Sequence, residues 1–377
     1  MPSPACPQRW DVFCTVVDNY GDVGVCWRLA RQLVAEHGVA VRLWVDDLGA
    51  FARLCPEADA SRDAQRCAGV DVRRWRRPFP DADPADVVVE AFACELPENY
   101  VAAMARQRPP PRWINLEYLS AEAWVADCHG LPSPHPRLPL TKHFFIPGFD
   151  ARSAGLLRER DLLARHVAFD AAGWWAARGG APAAGSLSVS LFAYENAAVA
   201  ALLGAWRAGE RPVRCLVTDS RVLASVAAAA GRPLVPGDTC RDGALELRVL
   251  PFLRQEAYDD LLAACDLNFV RGEDSLVRAL WAGKPFVWHI YPQDDDAHRV
   301  KLDALLDRYC AGLPAPADDA LRAFWHAWNA ESVTAGQWRA FAGHLPEIAA
   351  HTLLFRDRLA QLPDLTKTLA DFCRDPI

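Results

Sequence analysis

The chain has 377 residues, of which 51% are hydrophobic and 24% are charged, a balance that predicts a folded globular protein and excludes a mainly disordered one. At roughly 150 residues per domain, this length indicates about two domains. The 41 basic and 48 acidic residues give a net charge of -7, which argues against nucleic acid as a partner and favours a basic protein partner.

The cysteines and the apolar runs indicate the compartment. The 12 cysteines are scattered along the chain with no CxxC pair, which is typical of reduced thiols in the cytosol. The first residues lack the basic and apolar regions of a signal peptide. No apolar run approaches the ~20 residues that cross a bilayer. We therefore expect a cytoplasmic protein without a membrane partner.

In the first half of the chain, short apolar runs alternate with helical stretches. The pattern predicts a helix over 27–37 and strands over 12–17, 39–45, 85–91 and 113–116. These runs are continuously apolar, as strands buried on both faces of a parallel sheet require. We place a first α/β domain at 1–155.

The same alternation restarts after an Ala- and Gly-rich stretch, so we place a linker region at 156–185. It predicts strands over 187–192, 213–218, 245–250, 267–270 and 285–290, and helices over 197–208, 222–230, 255–264 and 276–282. We assign this second α/β domain to 186–345. Residues 346–377 are predicted to form helices that cross back toward the first domain.

The first candidate site is the segment 17–25, VDNYGDVGV, between the first strand and the first helix. In open α/β sheets, ligands bind at this edge. The spacing is not GxGxxG, so a dinucleotide phosphate loop is poorly supported. The paired acids Asp18 and Asp22 suit a proton acceptor or a cationic substrate. The structural alternative makes Asp18 a turn residue and Asp22 a helix N-cap.

The second candidate site is the segment 269–276, FVRGEDSL, which has the same order of strand, turn and helix. Either Asp274 or Ser275 is expected to cap the helix, whose N-terminus attracts anions. Arg271 adds a charge-assisted contact to phosphate. Glu273 either accepts hydrogen bonds from ribose hydroxyls or is a solvated loop residue.

Further strand ends carry side chains that suit a nucleotide, with core packing or helix capping as the alternative. They are Phe192, Tyr194, Phe252, Gln255 and Tyr258. In the segment 285–298, Gln293 and the three aspartates after it suit sugar hydroxyls. These aspartates and His298 lack a supporting ligand set, so we expect no metal.

Five segments occur in this order: DNYGDVGV at 18–25, WINLEYLS at 113–120, FIPGF at 145–149, RGEDS at 271–275 and WHIYPQ at 288–293. Together they resemble the EarP family of bacterial protein-arginine rhamnosyltransferases, which modify elongation factor P. The resemblance extends over essentially the whole chain, and motifs of this length are far more specific than a single glycine loop.

The resemblance implies an inverting GT-B glycosyltransferase with two Rossmann-like domains that face a cleft. The N-terminal domain lies on the acceptor side, and the C-terminal domain binds the nucleotide sugar. L-Rhamnose moves from dTDP-β-L-rhamnose to a guanidinium nitrogen of one arginine of elongation factor P. Neither a metal nor another cofactor is expected.

The resemblance also implies roles for individual residues. Asp22 matches the catalytic aspartate and is our choice for the general base, with Asp18 as its companion acid, and Glu273 matches the essential glutamate. The acceptor contacts are assigned to Asp18, Asn19, Tyr20 and Asp22. The donor contacts are assigned to Phe192, Tyr194, Phe252, Gln255, Tyr258, Arg271, Glu273, Asp274, Ser275 and Tyr291, with Arg271 or Tyr291 and the amides of Asp274 and Ser275 on the diphosphate.

Two alternatives stay open from the sequence. One is a GT-B transferase that uses another nucleotide sugar and a small-molecule or lipid acceptor. The other is a noncatalytic module that binds a sugar nucleotide or elongation factor P. The presence of Asp18, Asp22 and Glu273 together favours an enzyme, because binding alone does not need two acids beside an incoming cation.

Overall fold

The computed structural model describes residues 8–17, 20–292 and 297–374. The chain divides into two compact units, one formed by Met1–Arg160 with Gln361–Ile377 and the other by Asp161–Ala360. No helix in the described part of the chain is long and apolar enough to cross a membrane.

The first unit is built on a mostly parallel sheet. Its described strands are β1 (Arg9–Cys14), β2 (Ala40–Val45), β3 (Ala64–Cys67), β4 (Val70–Arg74), β5 (Val87–Ala91), β6 (Arg112–Leu116), β7 (Pro132–Pro134) and β8 (Thr141–Phe145). The sheet order is β3-β4-β2-β1-β5-β6-β8-β7, in which only the edge strands β3 and β7 pair antiparallel among the described residues. Its described helices are α1 (Gly21–His37), α2 (Leu48–Leu54), α3 (Glu98–Arg106), α4 (Val125–Cys128) and, from the end of the chain, α15 (Leu365–Arg374).

Asp11 is a charged side chain buried within this first sheet. Asp11 on the central strand β1 has no exposed surface, and its carboxylate accepts bonds of 2.7 and 2.6 Å from Arg42 on β2. The hydroxyl of Tyr100 on α3 donates to the same carboxylate. A buried charge is tolerated when it is paired and hydrogen-bonded in this way. The cluster therefore joins β1, β2 and α3.

The second unit repeats the architecture with a smaller sheet. Its described strands are β9 (Leu187–Leu191), β10 (Val213–Thr218), β11 (Thr239–Asp242), β12 (Leu245–Leu250), β13 (Leu267–Arg271) and β14 (Phe286–His289). They follow the order β11-β12-β10-β9-β13-β14, with β11 antiparallel to β12 and the others parallel. The described helices are α5 (Leu162–Val167), α6 (Ala171–Ala176), α7 (Ala198–Arg207), α8 (Val222–Ala230), α9 (Gln255–Ala264), α10 (Asp274–Ala282), α11 (Ala297–Tyr309), α12 (Ala315–Asn329), α13 (Ala335–Gly343) and α14 (Leu345–Ala360).

The predicted α/β class with two parallel sheets is confirmed, and β10, β12, α8 and α9 lie at their predicted positions. The helices α2 and α3 and the strands β4 and β8 were not predicted. One further difference in the first half is the start of α1, which begins at Gly21 and not at residue 27. The first helical bond already runs from Gly24 N to Tyr20 O at 2.9 Å. Asp22 consequently lies in the first turn of the helix.

The unit boundaries differ from the predicted domain boundaries. The stretch predicted as a linker at 156–185 contains α5 and α6, which belong to the second unit from Asp161 onward. They pack on α10 and α9, and His166 Nδ1 lies 3.0 Å from Trp281 O. The chain returns to the first unit at Gln361 and not at 346. There Gln32 on α1 donates to Asp364 Oδ1 at 3.2 Å.

A buried ion pair joins the two helices that follow β12 and β13. Arg278 on α10 donates to both carboxylate oxygens of Asp259 on α9, at 3.0 and 2.7 Å. The exposed fractions of the two residues are 1% and 5%. Removal of one partner of such a pair leaves an uncompensated buried charge.

We expect Asp259→Asn to lower the free energy of unfolding by about 3–5 kcal/mol, because Arg278 then stays buried and charged without its partner. Urea unfolding of the two proteins measures the difference. The matched control is the double substitution Asp259→Leu with Arg278→Met, which should be more stable than Asp259→Leu alone or Arg278→Met alone. A double variant whose free energy of unfolding falls by the sum of the two single-variant decreases would contradict this explanation.

Candidate functional site

At the carboxyl edge of the first sheet, the chain leaves β1 and enters α1 with Asp22 in the first turn. Asp22 is buried, with 4% exposure, and its Oδ2 accepts a 2.8 Å bond from the backbone N–H of Val17. The N-cap position is held by Tyr20, which makes no side-chain capping bond. The alternative of Asp22 as an N-cap is therefore wrong, because its carboxylate closes the preceding loop. Asp18 and Asn19 lie outside the described residues.

A tyrosine from a neighbouring strand approaches the same carboxylate. The hydroxyl of Tyr118, which follows β6, lies 3.5 Å from Asp22 Oδ1. Its ring stacks on Phe92, which follows β5, with 4.5 Å between ring centroids and 18° between planes. Phe92 adopts a φ of 56°, which non-glycine residues rarely adopt and which often marks functional sites. β5 pairs with β1, and β6 pairs with β5. The ends of the three strands therefore bring Asp22, Phe92 and Tyr118 to one edge of the sheet.

Neither Tyr118 nor Phe92 is assigned a role from the sequence. Tyr118 lies inside the segment WINLEYLS and directly follows a predicted strand, so the strand-end rule alone could have selected it. Phe92 directly follows the predicted strand over 85–91, so the same rule points to it. Its position next to Tyr118 depends on the strand order, which one sequence does not reveal.

Two buried thiols lie near the Asp22 loop. Cys14 at the end of β1 and Cys26 on α1 are both fully buried. The hydrogen bond from Cys26, burial and the charge of Asp22 together raise the pKa of Cys14 well above its usual value. The thiol of Cys14 therefore stays protonated, and Asp22 is the acid of this loop within the described residues.

In the second unit, Arg271 ends β13 at the carboxyl edge of the sheet. Its guanidinium lies over the rings of Phe192 at 4.8 Å and Tyr194 at 4.6 Å, distances that suit cation–π contacts. The side chain is buried, and its Nη1 has no hydrogen-bond partner in the part of the chain that the structure describes. An unpaired buried donor costs about 1–3 kcal/mol. The arrangement therefore suits an anionic ligand that accepts this hydrogen bond.

The turn after Arg271 is held by Ser275. The Ser275 hydroxyl accepts a 3.1 Å bond from Arg271 N and donates to the carbonyl of the same residue. Glu273 occupies the N-cap of α10 without a side-chain capping bond. The expectation that Asp274 or Ser275 caps this helix is wrong, because Ser275 closes the turn and Asp274 lies in the first helical turn. The first-turn amides of the helix still favour an anion.

The predicted aromatic residues gather at the same edge, but their exposure differs. The ring pairs are Phe192 with Tyr258 at 5.2 Å and Tyr194 with Tyr291 at 5.4 Å. Tyr194 and Tyr258 are buried, whereas Phe192 is half-buried and Tyr291 is 45% exposed. Phe192 and Tyr291 are thus the more accessible surfaces for a ligand.

The remaining two predicted donor contacts lie between β12 and α9. Phe252 is half-buried in the connection, and Gln255 begins the helix. Gln255 is buried, and its Nε2 lies 3.5 Å from Asp274 Oδ2 at the start of α10. The loop after β12 and the turn after β13 are therefore adjacent, which agrees with the ion pair of Asp259 and Arg278 that joins α9 to α10.

His289 is a neighbour of Arg271 that the sequence did not single out as a site residue. It pairs with Arg271 in the register of β13 and β14, and its ring packs on Tyr194 at 5.3 Å. Burial, together with the charge of Arg271, lowers the pKa of His289 to about 4. The imidazole is therefore neutral at neutral pH, and Arg271 supplies the positive charge at this point of the edge.

The segment 285–298, considered for sugar hydroxyls and for a metal, is only partly described by the structure. Gln293 and residues 294–296 lie outside the described residues. Across 8–17, 20–292 and 297–374, no group of three or more His, Cys, Asp or Glu side chains is placed to hold a metal ion.

Comparison with solved structures identifies the class of fold. MurG from Acinetobacter baumannii matches with a TM-score of 0.52 at 13% identity, over 98% of this chain and 99% of that chain. The spinosyn forosaminyltransferase SpnP matches with a TM-score of 0.51 at 14% identity, over 97% and 98%. The chain has the GT-B glycosyltransferase fold, as predicted.

The family follows from closer relatives. The family model described as elongation-factor P (EF-P) rhamnosyltransferase EarP matches residues 10–374. Proteins named protein-arginine rhamnosyltransferase match from Pseudomonas putida, 51% identical over 98% of this chain and 99% of that protein, and from Pseudomonas aeruginosa, 50% identical over 97% and 99%. A solved structure described as the structural basis for EarP-mediated arginine glycosylation of translation elongation factor EF-P matches with a TM-score of 0.69 at 37% identity, over 98% of this chain and 100% of that chain. This chain belongs to the EarP family and is a glycosyltransferase, which confirms the resemblance.

We expect the imidazole of His289 to stay neutral well below the ordinary histidine pKa of ~6.5. Because Arg271 lowers this pKa, Arg271→Met should raise it. Histidine NMR titrations of the two proteins measure both values. Since the unfolded state binds a proton near pH 6.5 and the folded site only near 4, this residue should lower stability as the pH falls between these values. A His289 that titrates normally would contradict the assignment.

Proposed function

We propose that this protein transfers L-rhamnose from dTDP-β-L-rhamnose to an arginine guanidinium of elongation factor P with inversion at the anomeric carbon. The observation that carries the proposal is the buried guanidinium of Arg271, whose Nη1 lacks a hydrogen-bond partner in the described part of the chain. The relatives named protein-arginine rhamnosyltransferase support the sugar and the acceptor. The name of the matching family supports elongation factor P as the protein substrate.

The second unit is proposed to bind the donor. Arg271 Nη1 donates to the diphosphate, and the first-turn amides of Asp274 and Ser275 add their dipoles. This charge stabilises the leaving diphosphate as the bond from the sugar to oxygen breaks. The contacts to Phe192 and Tyr194 hold the guanidinium in place beforehand, so little reorganisation accompanies the reaction.

The nucleotide base is proposed to stack at the aromatic edge. Phe192 and Phe252 are half-buried and offer ring surface, while the buried ring of Tyr258 supports Phe192 from behind. Gln255 reads an edge of the base. Tyr291 is exposed beside Tyr194 and is placed on the diphosphate or the sugar.

Glu273 is proposed to accept hydrogen bonds from hydroxyl groups of the donor. It is the N-cap residue of α10, directly between Arg271 and the first helical turn. A carboxylate at this position would repel the diphosphate if it pointed at the phosphates, so hydroxyls of the ribose or the rhamnose are the better partners. A Glu273→Gln variant with a raised KM for the donor and unchanged KM for elongation factor P would agree with this role.

The first unit is proposed to bind and activate the acceptor arginine. A guanidinium has a pKa above 12 and is a poor nucleophile, so it must be oriented and must lose a proton as the new bond forms. Its nitrogen attacks the anomeric carbon, the bond to dTDP breaks, and Asp22 takes the proton. Val17 N–H holds Oδ2 of Asp22 and the hydroxyl of Tyr118 lies near Oδ1, so the carboxylate is fixed at the place proposed for the acceptor. Asp18, Asn19 and Tyr20 complete the proposed acceptor contacts.

Replacement of the proposed base should abolish transfer and spare donor binding. We expect Asp22→Asn to lower kcat by roughly 10²–10⁴-fold, because the amide cannot take the proton. Intact-mass spectrometry of elongation factor P after incubation with dTDP-β-L-rhamnose measures transfer as a deoxyhexose-sized gain on arginine. Asp127→Asn, an exposed acid of the same unit, is the matched control. No gain with the wild-type protein would refute the proposed function.

Replacement of Arg271, unlike replacement of Asp22, should weaken donor binding. We expect Arg271→Met to weaken dTDP binding by about 10–150-fold, because a charge-assisted hydrogen bond of roughly 1.5–3 kcal/mol is lost. Isothermal titration calorimetry with dTDP measures the affinity. Arg211→Met removes an exposed arginine of the same unit and should bind normally. Equal affinities of the wild-type and Arg271→Met proteins would place the diphosphate elsewhere.

The reaction is proposed to need no metal ion, since Arg271 and the start of α10 supply positive charge to the leaving group. We expect transfer to continue unchanged after dialysis against EDTA. The initial rate with and without added Mg²⁺ is the measurement. A rate that falls with EDTA and recovers with Mg²⁺ would show that the protein residues do not suffice.

A further inference from the structure

A cavity of about 650 Å³ lies in the first unit beside α3. Its volume falls within the range of ligand pockets. None of the residues assigned above to the donor or the acceptor arginine lines it. Its polar lining is formed by Glu90, Glu95, Glu98, Trp113, His135, Arg137 and Lys142.

The charges on one wall of the cavity compensate each other. The buried carboxylate of Glu90 accepts a 2.9 Å bond from Trp113 Nε1 and lies 2.8 Å from Lys142 Nζ. The same ammonium lies 4.5 Å from the centre of the Trp113 ring. Glu90 and Lys142 are therefore already paired, and this wall has little net charge to offer a ligand.

The other charged residues leave the cavity with a net negative charge. Glu95 and Glu98 are exposed, and the structure gives neither side chain a hydrogen bond or an ion pair within its described ranges. They face Arg137, which is also exposed, and His135, whose Nδ1 accepts hydrogen bonds from the backbone N–H groups of Arg137 and Leu138. Two carboxylates against one guanidinium favour a cationic ligand group.

The cavity is linked to the proposed acceptor site by one turn of backbone. Glu95 has a φ of 52°, and Phe92 in the same turn has a φ of 56°. Phe92 stacks on Tyr118, whose hydroxyl is next to Asp22. Three residues of extended chain span at most about 11 Å. A protein whose arginine reaches Asp22 is thus large enough to reach the cavity with a second side chain.

We propose that this cavity docks a lysine or arginine of the acceptor protein other than the arginine that receives the sugar. The inference rests on the proposed function. The cation lies between the carboxylates of Glu95 and Glu98, and its aliphatic part lies along Leu96 and Val101, which also line the cavity. Long basic side chains bury their stems on apolar surface in this manner. The cavity thereby contributes to acceptor affinity and not to the chemical step.

The test is the kinetics of the double variant Glu95→Gln/Glu98→Gln with purified elongation factor P. We expect KM for elongation factor P to rise about tenfold, as two partly exposed ion pairs of up to ~1 kcal/mol each allow. The value of kcat and the affinity for dTDP-rhamnose should stay unchanged. The rise in KM should shrink at high salt, because exposed charges are screened.

The matched control is Glu57→Gln/Asp319→Asn, which removes two exposed carboxylates elsewhere in the chain and should leave KM unchanged. Each basic surface residue of elongation factor P, apart from the modified arginine, is then replaced by alanine. One replacement should raise KM in the wild-type enzyme and add nothing in the double variant.

Two results would overturn the inference in distinguishable ways. If the wild-type protein transfers rhamnose and the double variant keeps its KM, the cavity does not dock the acceptor. If the control raises KM equally, the effect is one of overall charge. Absence of transfer by the wild-type protein would instead refute the proposed function on which the inference rests.

Discussion

Parallel strands bring the carboxyl ends of distant chain segments to one edge of a sheet, and both candidate sites depend on this constraint. In the first unit, the ends of β1, β5 and β6 place Asp22, Phe92 and Tyr118 side by side. In the second unit, the ends of β9, β13 and β14 place Phe192, Arg271 and His289 together. Each edge therefore combines a charged group, Asp22 in the first unit and Arg271 in the second, with neighbouring aromatic rings.

In the proposed function, Arg271 is the cation that binds the diphosphate, and its neighbour His289 is kept neutral by burial and by the charge of Arg271. Asp22 is the carboxylate proposed to bind the guanidinium, beside the thiol of Cys14, whose pKa is raised well above its usual value. Electrostatic stabilisation of this kind is strongest when the groups are held in place before the substrate binds. The hydrogen bond from Val17 holds the Asp22 carboxylate in place. The contacts to Phe192 and Tyr194 hold the Arg271 guanidinium.

The buried ion pairs hold in place the helices and strands that carry the candidate sites. Asp259 and Arg278 fix α9 against α10, so Gln255 and the turn that starts at Arg271 remain adjacent. Asp11 with Arg42 and Tyr100 fixes β1 against α3 in the first unit. In both units a paired charge inside the fold therefore supports the elements whose ends form a site.

The sequence predicted the fold class and most central elements, because continuous apolar runs and helical periodicity are local signals. Helix α9 and strand β12 were located to the residue. The start of α1 was missed because glycine and aspartate in segment 21–24 are poor helix formers, although the backbone bond from Gly24 to Tyr20 forms there.

The details that depend on strand order could not be predicted. Tyr118 and His289 approach Asp22 and Arg271 only through pairing of distant strands. The edge strands β3 and β7 were not predicted, since they are short and rich in polar residues or proline. Helices α5 and α6 were taken for a linker because alanine and glycine dominate that stretch.

The central claim is a single displacement, in which the acceptor nitrogen replaces dTDP at the anomeric carbon in one step while Asp22 takes the proton. The most direct measurement is the anomeric configuration of the rhamnosyl-arginine in the product, obtained by NMR from the one-bond coupling between C1 and H1. The account predicts an α-linked product from the β-linked donor. A β-linked product would contradict it, because a single displacement from the face opposite the leaving group inverts the anomeric carbon.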